Sequence, residues 1–159
     1  VIQPLIIGQA PAQGNDGKLP FSGESGKRLA LLACVGTTGD VLPKYFELRN
    51  LISKYPGKAG TGKGDHFDRV AAKIQAAQMY EEFDGMGPRW ILLMGRSVSR
   101  AFGIRHREYL RPWPWNQHKM VIFPHPSGIN RWYNDNHNWR AASEFLREVL
   151  LESDTVQKR

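Results

Sequence analysis

Cysteine is nearly absent from this chain, with only Cys34 among 159 residues. One thiol cannot build an internal disulfide framework, a Cys-rich metal centre or an iron–sulfur cluster. Cys34 lies in the apolar run Leu29–Val35, which reads as a core position rather than a nucleophile. No apolar stretch approaches the roughly 18 residues needed to span a membrane, so no membrane partner is expected. Residues Val1-Ile2-Gln3-Pro4 lead straight into apolar strand residues without a signal-peptide pattern. The expected setting is cytoplasmic and nucleoid-associated, or nuclear. Carboxylates are also in short supply: 15 Asp and Glu against 22 Lys and Arg, a formal charge of +7. That excess favours a polyanionic partner through a salt-screened field, although a generally basic surface gives the same count.

Apolar residues make up 41% of the chain, enough for one buried core. Leu5–Ile7, Phe46–Ile52, Trp90–Met94 and Met120–Phe123 read as strands. Helices are expected over Ser25–Val35, after a cap at Asp65 with Phe67, Val70, Ala71, Ile74 and Ala77 on the buried face, and over Ser97–Phe102. A last helix buries Ala142, Phe145, Leu146, Val149 and Leu150. Strands alternating with helices predict an α/β fold, a three-layer α/β/α arrangement around a central, mainly parallel four-stranded sheet. A single domain over 1–152 is expected, with a polar, frayed tail over 153–159, and a monomer.

In such a sheet, ligands bind beyond the carboxyl ends of the strands. Gly8–Gly23, Asn50 and Pro124–Asn138 fall there. The first of these runs Gly8-Gln9-Ala10-Pro11 and later Pro20-Phe21-Ser22-Gly23; the last opens His125-Pro126-Ser127-Gly128-Ile129. The order and setting of these motifs resemble the uracil-DNA glycosylase superfamily through about 145 residues, from the first strand to the last helix. The resemblance implies a hydrolase that cleaves a base–sugar bond on a nucleotide flipped out of DNA, single- or double-stranded. It implies that Phe21 stacks on the base, that Gln9 frames the pocket through its backbone, and that Asn50 reads the base edge with one donor and one acceptor. His125 would stabilise the negative charge on the departing pyrimidine. Ser127 would touch a phosphate, and Ile129 would fill the hole left by the base, with Arg131 and Trp132 as rival wedges.

The chain departs from the family's pattern in places. Ala10 stands where one branch carries a water-activating Asp, which leaves Asn15 or Asp16 to position water. The four cysteines of the iron–sulfur branch are missing, so no cofactor is expected. The Asn- and aromatic-rich stretch after Ser127 serves either an altered substrate or a hydrogen-bonded loop cap.

Two other functions compete with this one. Ala10 motivates a catalytically silent DNA-binding module on the same fold. Gly57–Gly64 nearly matches the phosphate-binding loop G-x-x-x-x-G-K-[ST], which would make a nucleotide-binding enzyme. Gly64, however, replaces the hydroxyl residue that holds Mg²⁺. The same loop also reads as a DNA-backbone contact through Lys58 and Lys63. The run Arg105–Trp115 either lines a DNA strand or packs its two tryptophans into the core. The five histidines show no metal-ligand spacing, so no metal is expected.

Overall fold

A computed structural model describes residues 2–11, 14, 18–60 and 66–157. The strands are β1 (Leu5–Gly8), β2 (Glu47–Asn50), β3 (Trp90–Met94), β4 (Trp113–Trp115) and β5 (His118–Phe123), and the helices are α1 (Glu24–Leu32), α2 (Arg69–Asp84), α3 (Arg96–Ala101) and α4 (Asn136–Gln157). They form a five-stranded sheet in the order β2-β1-β3-β5-β4. Four of the strands are parallel, and β4 pairs antiparallel with β5. The expected sheet is therefore one strand short. The missed strand, Trp113-Pro114-Trp115, is three residues long and centred on a proline. An edge strand tolerates that because Pro114 need not donate to a neighbour.

The central strands β1, β3 and, from Met120 onward, β5 are buried on both faces, which explains their apolar sequences. Leu29, Leu32, Ala142, Leu146 and Val149 from α1 and α4 pack on one face against Ile6, Leu92, Val121 and Phe123. Ala72, Ala76, Met79, Phe83, Val98 and Phe102 from α2 and the α3 segment pack on the other against Leu5, Ile7, Ile91 and Leu93. Edge strand β2 carries Glu47 and Arg49, whose charges discourage further strand pairing.

Four local expectations are corrected. Asp65 lies outside the described residues, and the cap of α2 is Asp68, whose carboxylate accepts from the Val70 and Ala71 N–H groups. The buried face of α2 is Ala72, Ala76, Met79 and Phe83, leaving Val70 70% and Ile74 54% exposed. The small alanines let this face approach the sheet, and Phe83 anchors it in an aromatic cluster with Tyr80, Phe102 and Trp115.

Cys34 is exposed rather than core. It ends α1 in the left-handed region at φ 56°, the Cys34 N–H reaching Leu31 O and the Val35 N–H reaching Ala30 O. This is the Schellman arrangement, and it turns the side chain at its left-handed residue outward. Helix α4 runs on through Gln157, past the expected end at 152. No helix among the described residues is long and apolar enough to cross a membrane.

Candidate nucleic-acid site

Parallel register sets the site. Gly8 pairs with Asn50 at the ends of β1 and β2. A Cβ built on Gly8 would lie 2.7 Å from Asn50 Oδ1 and 2.8 Å from Phe21 Cζ. The carboxamide and the ring therefore both close over the same point of backbone, which only glycine leaves free. Beyond the ends of β3 and β5, Gly95 plays the same part for the imidazole. Its Cβ would lie 3.3 Å from His125 Cβ, and its φ of 87° suits glycine alone.

These groups line one cleft of about 740 Å³, a size that takes a small planar ligand. Gln9, Phe21, Asn50, His125, Ser127 and Ile129 all reach it. Ala10 and Pro11 form part of its wall. Of the three wedge candidates only Ile129 lines the cleft, and it is 83% exposed. Trp132 packs edge-on against Tyr109 and Tyr133, and Arg131 points to solvent outside the cleft. Asn15, Asp16 and Lys63 lie outside the described residues. Lys58 is exposed on its loop and does not reach the cleft. That loop does not run directly into a helix, because α2 opens only at Arg69 behind the Asp68 cap. Among the described residues, His66, Phe67 and Asp68 stand between it and the helix that a phosphate-binding loop would run into.

Phe21 is held by a steric wedge. Its backbone is left-handed at φ 60°, a conformation costly for an aromatic residue. Its carbonyl is pressed between α1 and a 3-10 turn at Gly39–Lys44. A Cβ on Gly26 would fall 1.6 Å from Phe21 O, and one on Gly39 would fall 2.5 Å from it. Two missing side chains thus make room for the turn that aims the ring.

His125 is held by polar bracing. Asn130 Nδ2 donates to His125 O at 2.9 Å, Tyr133 Oη to Pro124 O at 2.5 Å, and Arg28 Nε to Pro126 O at 3.0 Å. Arg28 in turn lies over the rings of Tyr133 and Trp139. Burial lowers the His125 pKa, so the ring is a neutral imidazole at neutral pH. No described protein group hydrogen-bonds its ring nitrogens. Burial raises the Tyr133 pKa, keeping its hydroxyl a donor.

The Asn-rich stretch is largely structural. Asn130 caps the turn Arg131–Asn134, Asn138 bonds Trp132 O, and the Asp135 carboxylate accepts from the His137 N–H at the start of α4.

Sequence reasoning misses Arg28, Tyr133, Phe67 and Ser97. The first two brace the His125 loop, and the last two line the cleft. Phe67 precedes the α2 cap, and an aromatic just ahead of an Asp cap is the one local signal it offers. Trp113 is buried beneath the Arg107 guanidinium, while Trp115 is half-buried and stacks on His118. His118 is itself buried against Phe83 O, and the described residues contain no group of three or more His, Cys, Asp or Glu that could hold a metal.

Fold and cleft together define an α/β protein whose ligand site lies at the carboxyl ends of parallel strands, walled by an aromatic ring, a carboxamide and a neutral imidazole. The model of the uracil DNA glycosylase superfamily matches residues 3–150, and the chain belongs to that superfamily. Its members are generally DNA glycosylases that act on DNA. No curated protein matches the chain.

Proposed function

We propose that this protein hydrolyses the N-glycosidic bond of a flipped uracil, or a related modified pyrimidine, in DNA. The reading rests on one observation: Phe21, Asn50 and His125, from three separate strand ends, line a single cleft. The Phe21 ring stacks on the extruded base. The Asn50 carboxamide accepts from the base N3–H and donates to O4. As the base–sugar bond breaks, its electron pair moves onto the base and accumulates on oxygen. The neutral His125 imidazole donates to that oxygen more strongly in the transition state than in the ground state. Water, with Asn15 or Asp16 as its positioning group, then bonds to the sugar carbon, and the proton it gives up neutralises the released base anion through solvent. Ser127 contacts a backbone phosphate, and Ile129 fills the gap left in the stack.

The direct test is abasic-site formation on a panel of oligonucleotides, each carrying one altered base. His125→Ala is expected to cut turnover at least about a hundredfold with DNA affinity nearly unchanged. Equal turnover in the variant removes His125 from the chemistry. Asn50→Asp is expected to weaken preference for uracil among the panel, and an unaltered base profile ends its role as reader. Binding without release of any base would leave a silent DNA-binding module instead.

A further inference from the structure

The cleft does not end at the base site. Phe67 and Ser97 on its wall also line a second concavity of about 440 Å³, between α2 and α3. Its other walls are Arg69, Lys73, Arg100, Arg105 and His106, with Ala101. Arg69 and Lys73 are one helical turn apart on α2, about 6 Å along the axis. Arg105 and His106 then carry the concavity onward into a third, which includes Arg107 and the half-buried Trp115.

Arg69, Lys73, Arg100 and Arg105 are exposed, and none enters an ion pair with a described residue. Arg49, Arg89, Arg111 and Lys119 meet carboxylates, but Lys27, Lys44, Arg131, Arg140 and Arg147 meet none among the described residues, so what sets these four apart is their gathering in one concave wall. Four unpaired cations gathered in a concave wall repel one another and focus a positive potential that an anionic ligand relieves. The chain just beyond Arg105 and His106 is tied down, because Arg96 donates to Arg107 O and lies over the Tyr109 ring.

We propose that this trough binds the sugar–phosphate backbone of single-stranded DNA, carrying the strand that flanks the nucleotide held in the cleft. The inference rests on the DNA-acting reading for its ligand, but not on the chemistry assigned to His125. The trough shares Phe67 and Ser97 with the cleft in which the proposed function seats the base, so the chain leaving that cleft is the phosphate backbone of the same strand. Its contacts are cationic side chains, which position a strand without reading its sequence.

The test is fluorescence anisotropy with a labelled oligothymidylate of about 15 nucleotides, comparing the full chain with Arg100→Glu/Arg105→Glu. The matched control is Arg140→Glu/Arg147→Glu, an equal charge change at exposed positions of α4 on the opposite face of the sheet. The trough variant is expected to bind at least about tenfold more weakly at low salt. Its plot of log affinity against log salt should be flatter by about 1.4, the release expected from two lost contacts on a single strand. Affinity and slope no different from those of the α4 control overturn the proposal. A loss confined to a duplex probe overturns the single-strand assignment. Wild-type protein that binds the probe through the trough but frees no base from any altered oligonucleotide leaves the trough standing and retires the hydrolase reading.

Discussion

Two loops at the same end of the sheet present the two halves of the site, and they are held by opposite means. The loop after β1 aims Phe21 by exclusion: two glycines leave the space its carbonyl occupies. The loop after β5 aims His125 by attachment: three side-chain donors tie the carbonyls of Pro124, His125 and Pro126. A steric wedge fails abruptly when an atom is added. A braced loop fails gradually, one donor at a time, since each hydrogen bond contributes only about 1 kcal/mol net.

The largest effect is therefore expected from adding a single methyl group on the Phe21 side. In Gly26→Ala the new Cβ would overlap the Phe21 carbonyl, and backbone at that distance cannot yield as a flexible side chain would. Destabilisation of about 3 kcal/mol or more is expected in urea unfolding, with loss of base release in whatever protein still folds. A change below about 0.5 kcal/mol would mean that the turn at Phe21 is not wedged.

On the braced side, Tyr133→Phe removes one donor and leaves the buried Pro124 carbonyl unsatisfied. A loss of about 1–3 kcal/mol is expected, with turnover reduced and affinity for DNA kept, because Arg28 and Asn130 still hold the loop. If Tyr133→Phe were as damaging as Gly26→Ala, the distinction between wedge and brace would disappear.

The same contrast separates what can be read in the sequence from what cannot. Three of the four parallel strands are legible as short apolar runs stopped by glycine or proline, and β2 by the alternation of its residues over Phe46–Ile52. Asn50 is legible as a site residue because a parallel sheet gathers its strand ends. The His-Pro-Ser stretch is legible by its place after an apolar strand. The wedge is not legible: nothing in Gly26 or Gly39 announces that the Phe21 carbonyl, residues away, needs their space. The braces are not legible either, since Arg28 reaches Pro126 across 98 positions of chain. The buried face of α2 is misread because its alanines count for little on a hydropathy pattern, yet close approach to a sheet favours small residues. Cys34 is misread because a tally of apolar neighbours does not register a left-handed helix end.

The smallest effect tests whether the braced loop keeps its imidazole out of water. Burial lowers the His125 pKa from the ordinary 6.5, so the folded protein takes up this proton at lower pH than the unfolded chain does. Between the two values the unfolded state binds more protons, and stability rises with pH across that window. The contribution is thus fully present above about pH 6.5, declines as the pH falls towards the lowered folded value, and levels off below it. His125→Asn, which cannot titrate, should lose this part of the acid dependence in urea midpoints. Turnover should behave differently from stability. The donor is already the neutral ring, so base release at saturating DNA should stay level as the pH is lowered through 6.5. A rise in turnover on acidification would mean that the charged imidazolium is the donor, and identical acid dependence of stability in wild type and His125→Asn would mean that the ring is solvated and the bracing of its loop serves another end.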